Sequence, residues 1–153
     1  MHFNFDLVVN SFPLLLVGAG VTIKITALSV ALGVIIGLFV GIARISRFKI
    51  LRVLSAIYVD FFRGTPLLVQ IFLVYFALPV ITGQRVDPFV TAIGSCGINS
   101  GAYVAEIFRA GIQSIDKGQM EGGQAVGMSY LQIMLHVIIP QAARTREFLS
   151  RYR

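Results

Sequence analysis

The stretch ITALSVALGVIIGLFVGIA, residues Ile25–Ala43, carries no charged side chain. As an α-helix it is about 28 Å long at ~1.5 Å per residue, which matches the roughly 30 Å hydrocarbon core of a bilayer. Glycines recur at every fourth position, at Gly33, Gly37 and Gly41, and give the helix a smooth stripe that another helix can approach closely. The stretch therefore predicts a membrane-spanning helix that packs against a neighbour.

The composition of the whole chain agrees with this interpretation. Of 153 residues, 56% are hydrophobic and 13% are charged, and the mean hydropathy is +0.82. The net charge of +6 does not indicate a nucleic-acid partner, because the basic residues lie in short gaps between apolar stretches and not on one solvated face. The single cysteine, Cys96, lies in an apolar run and is expected to be a packing residue. We therefore expect one all-α domain, residues 1–153, built as a polytopic membrane helix bundle.

Two further stretches complete a predicted set of three membrane spans, at about residues 66–82 and 89–108. The segment after the first span is strongly basic, whereas residues 1–23 contain no lysine or arginine. Its basic residues are Arg44, Arg47, Lys49 and Arg52. Since cytoplasmic loops carry an excess of such residues, we expect the N-terminus on the external side of the membrane.

A weakly hydrophobic hook, residues 116–140, follows the third span. Asp116 is a suitable N-cap and Gly127 suits the left-handed position that ends a helix, so the pattern predicts a short helix over about 116–127. Ser129 and Gln132 then form a capping-box signal for a second helix. That helix has only about fourteen residues before Arg144, too few to span a bilayer. Taken alone, this pattern also fits an ordinary internal loop.

Three motifs in the chain resemble those of a known family. The spacing of Glu121, Gly127, Val137, Ile139 and Pro140 resembles the E-A-A-x3-G-x9-I-x-L-P signature of permease subunits of ATP-binding cassette importers. The stretches YVDFFRGTPLLVQIFLVYFALP (58–79) and INSGAYVAEIFRAGIQSIDKGQ (98–119) look like the polar amino-acid branch, of the histidine, glutamine and arginine type. The resemblance covers residues 12–142 and implies a subunit of an ATP-driven importer of polar amino acids.

The chain departs from the family pattern in two places. Gly122 and Gly123 stand where the signature has alanines. Members of the family continue after the proline for roughly two more membrane segments, whereas here the sequence AARTREFLSRYR follows. We therefore expect an incomplete C-terminal segment and a chain that is a fragment of a permease, inactive in transport by itself.

The resemblance also implies partners and a location. The helix at about 116–127 is expected to be the coupling helix, which is seated in a groove of a separate ATPase subunit. The expected coupling residues are Glu121, Gly122, Gly123, Gly127 and Pro140. A second permease subunit, an extracytoplasmic solute-binding protein and a polar amino acid complete the set, in the bacterial inner membrane. ATP is expected on the partner subunit, with no cofactor on this chain.

Several polar side chains lie at membrane depth in the predicted spans, namely Gln70, Asn99, Ser100 and Tyr103. A polar group buried there without a partner costs several kcal/mol, so these groups must face protein or water. They either join helices by hydrogen bonds or line a path for a zwitterionic solute. Glu106 and Arg109, three positions apart, are expected to form an ion pair, and Arg63 is expected to anchor the inner interface or to serve as a gate.

No pattern in the sequence indicates an enzyme. His2 and His136 lack an H-x-x-H context, and neither a G-x-S-x-G elbow nor a G-x-x-x-x-G-K-[ST] phosphate loop is present. We expect no catalytic residue and no metal site. The alternative function is a small membrane channel or scaffold subunit without an ATPase partner, assembled through the glycine stripe of Gly33, Gly37 and Gly41.

Overall fold

The computed structural model describes the backbone of residues 5–144 and the side chains of residues 11–143. Within these residues every regular element is a helix, which confirms the all-α fold class. The end of the predicted incomplete C-terminal segment, residues 145–153, lies outside the described residues.

The first helix, α1 (Phe5–Ile45), is much longer than the predicted first span, which lies inside it. Its part from Ser11 to Ile45 is the one described helix that is long and apolar enough to cross a membrane. A second crossing is possible if the bent pair Lys49–Gly64 and Leu67–Thr82 counts as one span. The predicted third span lies inside helix α5 (Pro88–Gln113), whose polar residues lower its mean hydropathy. Three complete spans therefore stay a prediction.

A sharp elbow separates α2 (Lys49–Gly64) from the helix that follows it. The two helices meet at 103°, and Thr65 and Pro66 between them are extended. The residue before a proline is disfavoured in helical conformation, which explains why α2 ends before Pro66. The sequence predicted a helix from residue 66 but assigned none to residues 49–64. The elbow is the main addition that the structure makes to the predicted architecture.

A widened helical turn precedes a proline at two places in the chain. Leu73–Ala77 forms a π-helical turn between α3 (Leu67–Phe72) and α4 (Leu78–Thr82), which contains Pro79. Met134–Ile138 does the same between α7 (Tyr130–Ile133) and α8 (Ile139–Arg144), which contains Pro140. Proline lacks an N–H and its ring clashes with the carbonyl four residues earlier, and a widened turn relieves that clash. Pro140 thus has a backbone role within its helix.

The long helices α1 and α5 pack side by side through small residues. A Cβ atom at Gly33 would lie 2.6 Å from the Cβ of Ser100, and one at Gly37 would lie 2.5 Å from the Cβ of Val104. One at Gly41 would lie 2.7 Å from Cδ1 of Phe108. The glycine stripe is therefore covered by α5 of the same chain, as a close helix pair requires. The predicted packing of the first span against a neighbouring helix is confirmed, and the alternative in which another subunit assembles on the stripe loses its surface.

The hook has the predicted helix, break and helix. Asp116 is the N-cap of helix α6 (Lys117–Ala125), and its side chain accepts a hydrogen bond from the backbone N–H of Gly118 at 2.7 Å. After Val126, Gly127 adopts a left-handed conformation with φ of 81°, where a side chain is strained. The side chain of Gln132 accepts from the N–H of Ser129 at 2.8 Å, closing the predicted capping box of α7.

Candidate functional site

The hook presents one accessible side to solvent. Glu121 and Gly122 are exposed, and a Cβ at Gly122 would meet no atom within 4 Å. Val126, at the end of α6, exposes 76% of its surface, although it is apolar. An exposed carboxylate, an open glycine and an exposed valine on one short segment form a surface that a partner can approach closely. We call these three residues the hook surface.

Gly123 does not belong to the hook surface, because it lies against the chain's own core. A Cβ at Gly123 would lie 2.7 Å from Cγ1 of Ile133, and Ile133 is fully buried. Ile133 forms an apolar cluster with Met134 and Ile138. The cluster is extended by side chains from four helices, including Ile45 of α1, Ile112 of α5 and Met120 of α6. The inner side of α6 therefore packs on this cluster, and the ends of the two long helices contact the same cluster.

The other predicted coupling residues have backbone roles. Gly127 makes the left-handed turn and has no neighbour that a Cβ would meet within 4 Å. Pro140 lies in the first turn of α8 beyond the widened turn. Beside it, the side chain of Gln141 donates to Oε1 of Gln119 at 3.0 Å and joins α8 to α6. The hook is thus fixed at both ends by contacts within the chain.

Gln70 and Asn99 meet at the elbow. The Asn99 side chain donates to Oε1 of Gln70 at 3.1 Å and to the carbonyl of Phe62 at 3.0 Å. Gln70 donates to the same carbonyl at 3.0 Å and to Oγ1 of Thr65 at 2.7 Å. Because a helix leaves its last carbonyls without internal partners, these amides satisfy groups that the end of α2 exposes. Hydrogen bonding between helices accounts for both residues without a solute.

Ser100 and Tyr103 occupy different surroundings. Ser100 lies at the crossing with α1, opposite Gly33. Tyr103 exposes 47% of its surface, and the guanidinium carbon of Arg63 lies 5.3 Å from the centre of its ring. That distance permits a cation–π contact. Gln70 and Asn99 therefore share one hydrogen-bonded site, and a role of the four residues in a solute path stays a prediction.

Glu106 joins three helices through arginines. Its Oε2 lies 3.0 Å from Nη2 of Arg44 on α1, and its Oε1 lies 3.8 Å from Nη1 of Arg63 on α2. Nη2 of Arg109, one turn further along α5, lies 2.5 Å from Oε1 of Glu106. This contact confirms the predicted ion pair between Glu106 and Arg109. Sequence reasoning missed Arg44 and assigned Arg63 to another role, because both pairings depend on how the helices are placed in space.

Residues 33–145 match the family described as the binding-protein-dependent transport system inner membrane component. The chain belongs to this family. Two of its relatives are the arginine transport system permease protein ArtQ of Bacillus subtilis and the glutamine transport system permease protein GlnP of Escherichia coli. ArtQ is 39% identical over 142 residues and GlnP is 41% identical over 145 residues.

A solved structure has the same fold. It is a crystal structure of an amino acid ABC transporter with histidines, and it matches with a TM-score of 0.86 and 40% identity. The alignments cover 93% of this chain and 65% of ArtQ, 94% and 66% with GlnP, and 94% and 66% with the solved chain. The chain therefore spans about two thirds of the length of these relatives, or slightly less.

Family membership supports the importer interpretation and not the channel or scaffold alternative. The family is one of transport components in membranes, which agrees with the absence of enzyme motifs from the sequence. Within the described residues, no group of three or more His, Cys, Asp or Glu side chains lies close enough to hold a metal ion.

Proposed function

We propose that the chain is part of the transmembrane permease subunit of an ATP-driven importer of polar amino acids. The observation that carries this proposal is the similarity over more than nine tenths of the chain to permease proteins for arginine and glutamine. The family match extends over residues 33–145, which include the elbow, α5 and the hook and therefore every candidate site residue.

The hook surface is the proposed contact with the ATPase subunit. Glu121 offers a charge, Gly122 allows close approach of the backbone, and Val126 offers an apolar side chain for a groove. The contact between Gly123 and the buried Ile133 supports this assignment, because it packs the inner side of α6 against the core of the chain. A rigid connection is needed if motion of the ATPase is to reach the ends of α1 and α5, since coupling passes through packed elements with defined arrangements.

The solute path is proposed to run past Tyr103 and Arg63 and the elbow. Tyr103 is exposed within this chain. Gln70 and Asn99 are hydrogen-bonded to the carbonyl of Phe62 near the end of α2. In this arrangement the two amides act mainly by fixing the elbow, and the path is completed by the second permease subunit. An extracytoplasmic solute-binding protein delivers the amino acid.

The proposed location is the bacterial inner membrane, with the N-terminus outside. In a background with Cys96→Ser, Gln84→Cys is expected to react with a membrane-impermeant maleimide in spheroplasts. Lys117→Cys is the matched position on α6, and it is expected to react only after the membrane is opened. The reverse labelling pattern would invert the orientation.

Reconstitution tests the function itself. Because the chain alone is expected to be inactive, the test uses a complete permease in which a family-like C-terminal segment extends this chain. The complete permease is tagged in its native membrane, purified with its attached subunits and placed in liposomes that contain ATP on the side of the ATPase. We expect an ATPase subunit to co-purify and radiolabelled arginine, glutamine or histidine to accumulate only when ATP and the solute-binding protein are present. Purification without an ATPase, together with the absence of ATP-dependent uptake, would refute the proposal.

A further inference from the structure

Residues 47–54, at the start of α2, carry unpaired positive charge beside exposed apolar side chains, and we call this segment the basic turn. Arg44 is engaged by Glu106, whereas Arg47, Lys49 and Arg52 form no ion pair with any residue that the structure describes. All three are exposed. The nearest acidic residue along the chain is Asp60, eight positions after Arg52. This segment thus has a strong local excess of positive charge.

The same turn carries an apolar surface that α1 and α5 leave uncovered. Phe48 exposes 63% of its surface, Ile50 exposes 74% and Leu54 exposes 60%. Lys49, Ile50, Val53 and Leu54 line a shallow groove of about 260 Å³. The guanidinium carbon of Arg47 lies 5.8 Å from the centre of the Phe48 ring. Cationic heads and an apolar groove therefore lie within one helical turn of each other.

We propose that this turn binds an anionic phospholipid, with its phosphate between Lys49, Arg52 and Arg47 and the upper part of an acyl chain along the groove of Ile50, Val53 and Leu54. Basic residues beside exposed apolar side chains on an amphipathic helix are the combination that attracts negatively charged lipid surfaces. A free phosphate would use the charges but leave the apolar groove bare.

A second copy of this chain fits the surface less well than a lipid does. In a symmetric pair the same patch faces itself, which would bring three unpaired cations of each copy close together. Those charges repel one another, whereas a lipid headgroup is complementary to them. The charge of the turn thus selects a lipid over a copy of the chain.

The chain contains no tryptophan, so a single indole can report on the groove. Ile50→Trp places it at a position that is 74% exposed and therefore tolerant of a larger side chain. The variant is reconstituted in bilayers of increasing content of phosphatidylglycerol with brominated acyl chains, which quench a nearby indole. Brominated phosphatidylcholine serves as the zwitterionic comparison, and inorganic phosphate is added in a separate arm.

We expect brominated phosphatidylglycerol to reach half-maximal quenching at a mole fraction several-fold lower than phosphatidylcholine. Lys49→Gln with Arg52→Gln should remove that difference, since each basic residue near an anionic surface changes affinity by roughly fivefold. Lys24→Gln with Arg85→Gln removes the same charge from two other exposed positions and should leave the difference intact. Inorganic phosphate should not compete.

Three results would overturn the proposal. Equal quenching by the two lipids would show no lipid selectivity, and full competition by inorganic phosphate would identify a site for a free anion. An indole that no lipid quenches, in a chain that cross-links to itself through this turn, would identify a contact between copies. If Ile50→Trp does not fold, native mass spectrometry of the unmodified protein decides: retained phosphatidylglycerol that Lys49→Gln with Arg52→Gln loses supports the site, and no preferential retention refutes it.

Discussion

The side-chain amide of Asn99 donates a hydrogen bond to Oε1 of Gln70 at 3.1 Å, and both amides also donate to the carbonyl of Phe62. This arrangement closes the elbow between α2 and α3. Asn99→Leu removes two hydrogen bonds and leaves Oε1 of Gln70 without this partner. We expect a loss of about 1–3 kcal/mol in the stability of the helix bundle, since an unsatisfied buried polar group costs that much.

Fluorescence-detected size exclusion after heating checks this loss of stability. Ser100→Ala is the matched control, because Ser100 is the next residue on α5 and makes none of these bonds. The control should behave like the unmodified chain. If, in a complete permease, Asn99→Leu is as stable as the control but abolishes amino-acid uptake, then Asn99 contacts the solute and its role at the elbow is secondary.

Glu106 is expected to hold α1, α2 and α5 together. Glu106→Gln removes the charge that three arginines share, and the side chain of Arg44 is only 13% exposed and has little access to water. Hydrogen bonds to charged groups contribute on the order of 1.5–3 kcal/mol, so the variant should unfold at a lower temperature. Glu121→Gln, at an exposed position, should not change the unfolding temperature. Equal stability of the two variants would contradict the proposed role of Glu106.

Gly37 is expected to tolerate no side chain. A Cβ there would lie 2.5 Å from the Cβ of Val104 and 2.9 Å from the carbonyl oxygen of Gly101, which is backbone and cannot move aside. Gly37→Val should therefore separate α1 from α5 and cost about 1–3 kcal/mol, as overpacking does. Gly18→Val introduces the same residue into α1 where no atom lies within 4 Å. Proteolysis in mild detergent should cleave the first variant faster than the second.

Two adjacent glycines of α6 are expected to respond differently to the same substitution. Gly123→Val brings a side chain into Ile133, which is fully buried, and should loosen α6 from the core. Gly122→Val meets nothing in the chain, so it should leave α6 in place and instead weaken binding of the ATPase subunit. Hydrogen exchange of α6 amides separates the two cases, because only Gly123→Val should accelerate it. Faster exchange in both variants would mean that Gly122 also has a structural role.

The hook could be predicted from sequence because its signals are local. Asp116, Gly127 and the pair Ser129 and Gln132 act on neighbouring backbone groups, and all four have the predicted roles. Its division into an outer and an inner side could not be predicted. That division depends on Ile133 of the next helix, which covers Gly123 and leaves Gly122 open.

The elbow and the arginine cluster could not be predicted because they join distant parts of the chain. Arg44 and Glu106 are 62 positions apart, and Asn99 and Phe62 are 37 positions apart. The sequence correctly indicated that Gln70 and Asn99 need partners at membrane depth. It could not indicate that the partner is the end of α2, since no helix was predicted over residues 49–64.

Cross-linking from the hook tests the central claim most directly. A photoreactive benzophenone residue replaces Glu121 in the protein in its native membrane, and a second variant carries it at Arg85, in the segment between α4 and α5. Illumination is followed by identification of the captured protein. The account predicts that position 121 captures an ATP-binding cassette ATPase subunit and that position 85 does not. A correctly folded protein whose position 121 captures no ATPase, or whose position 85 captures it instead, would contradict the account.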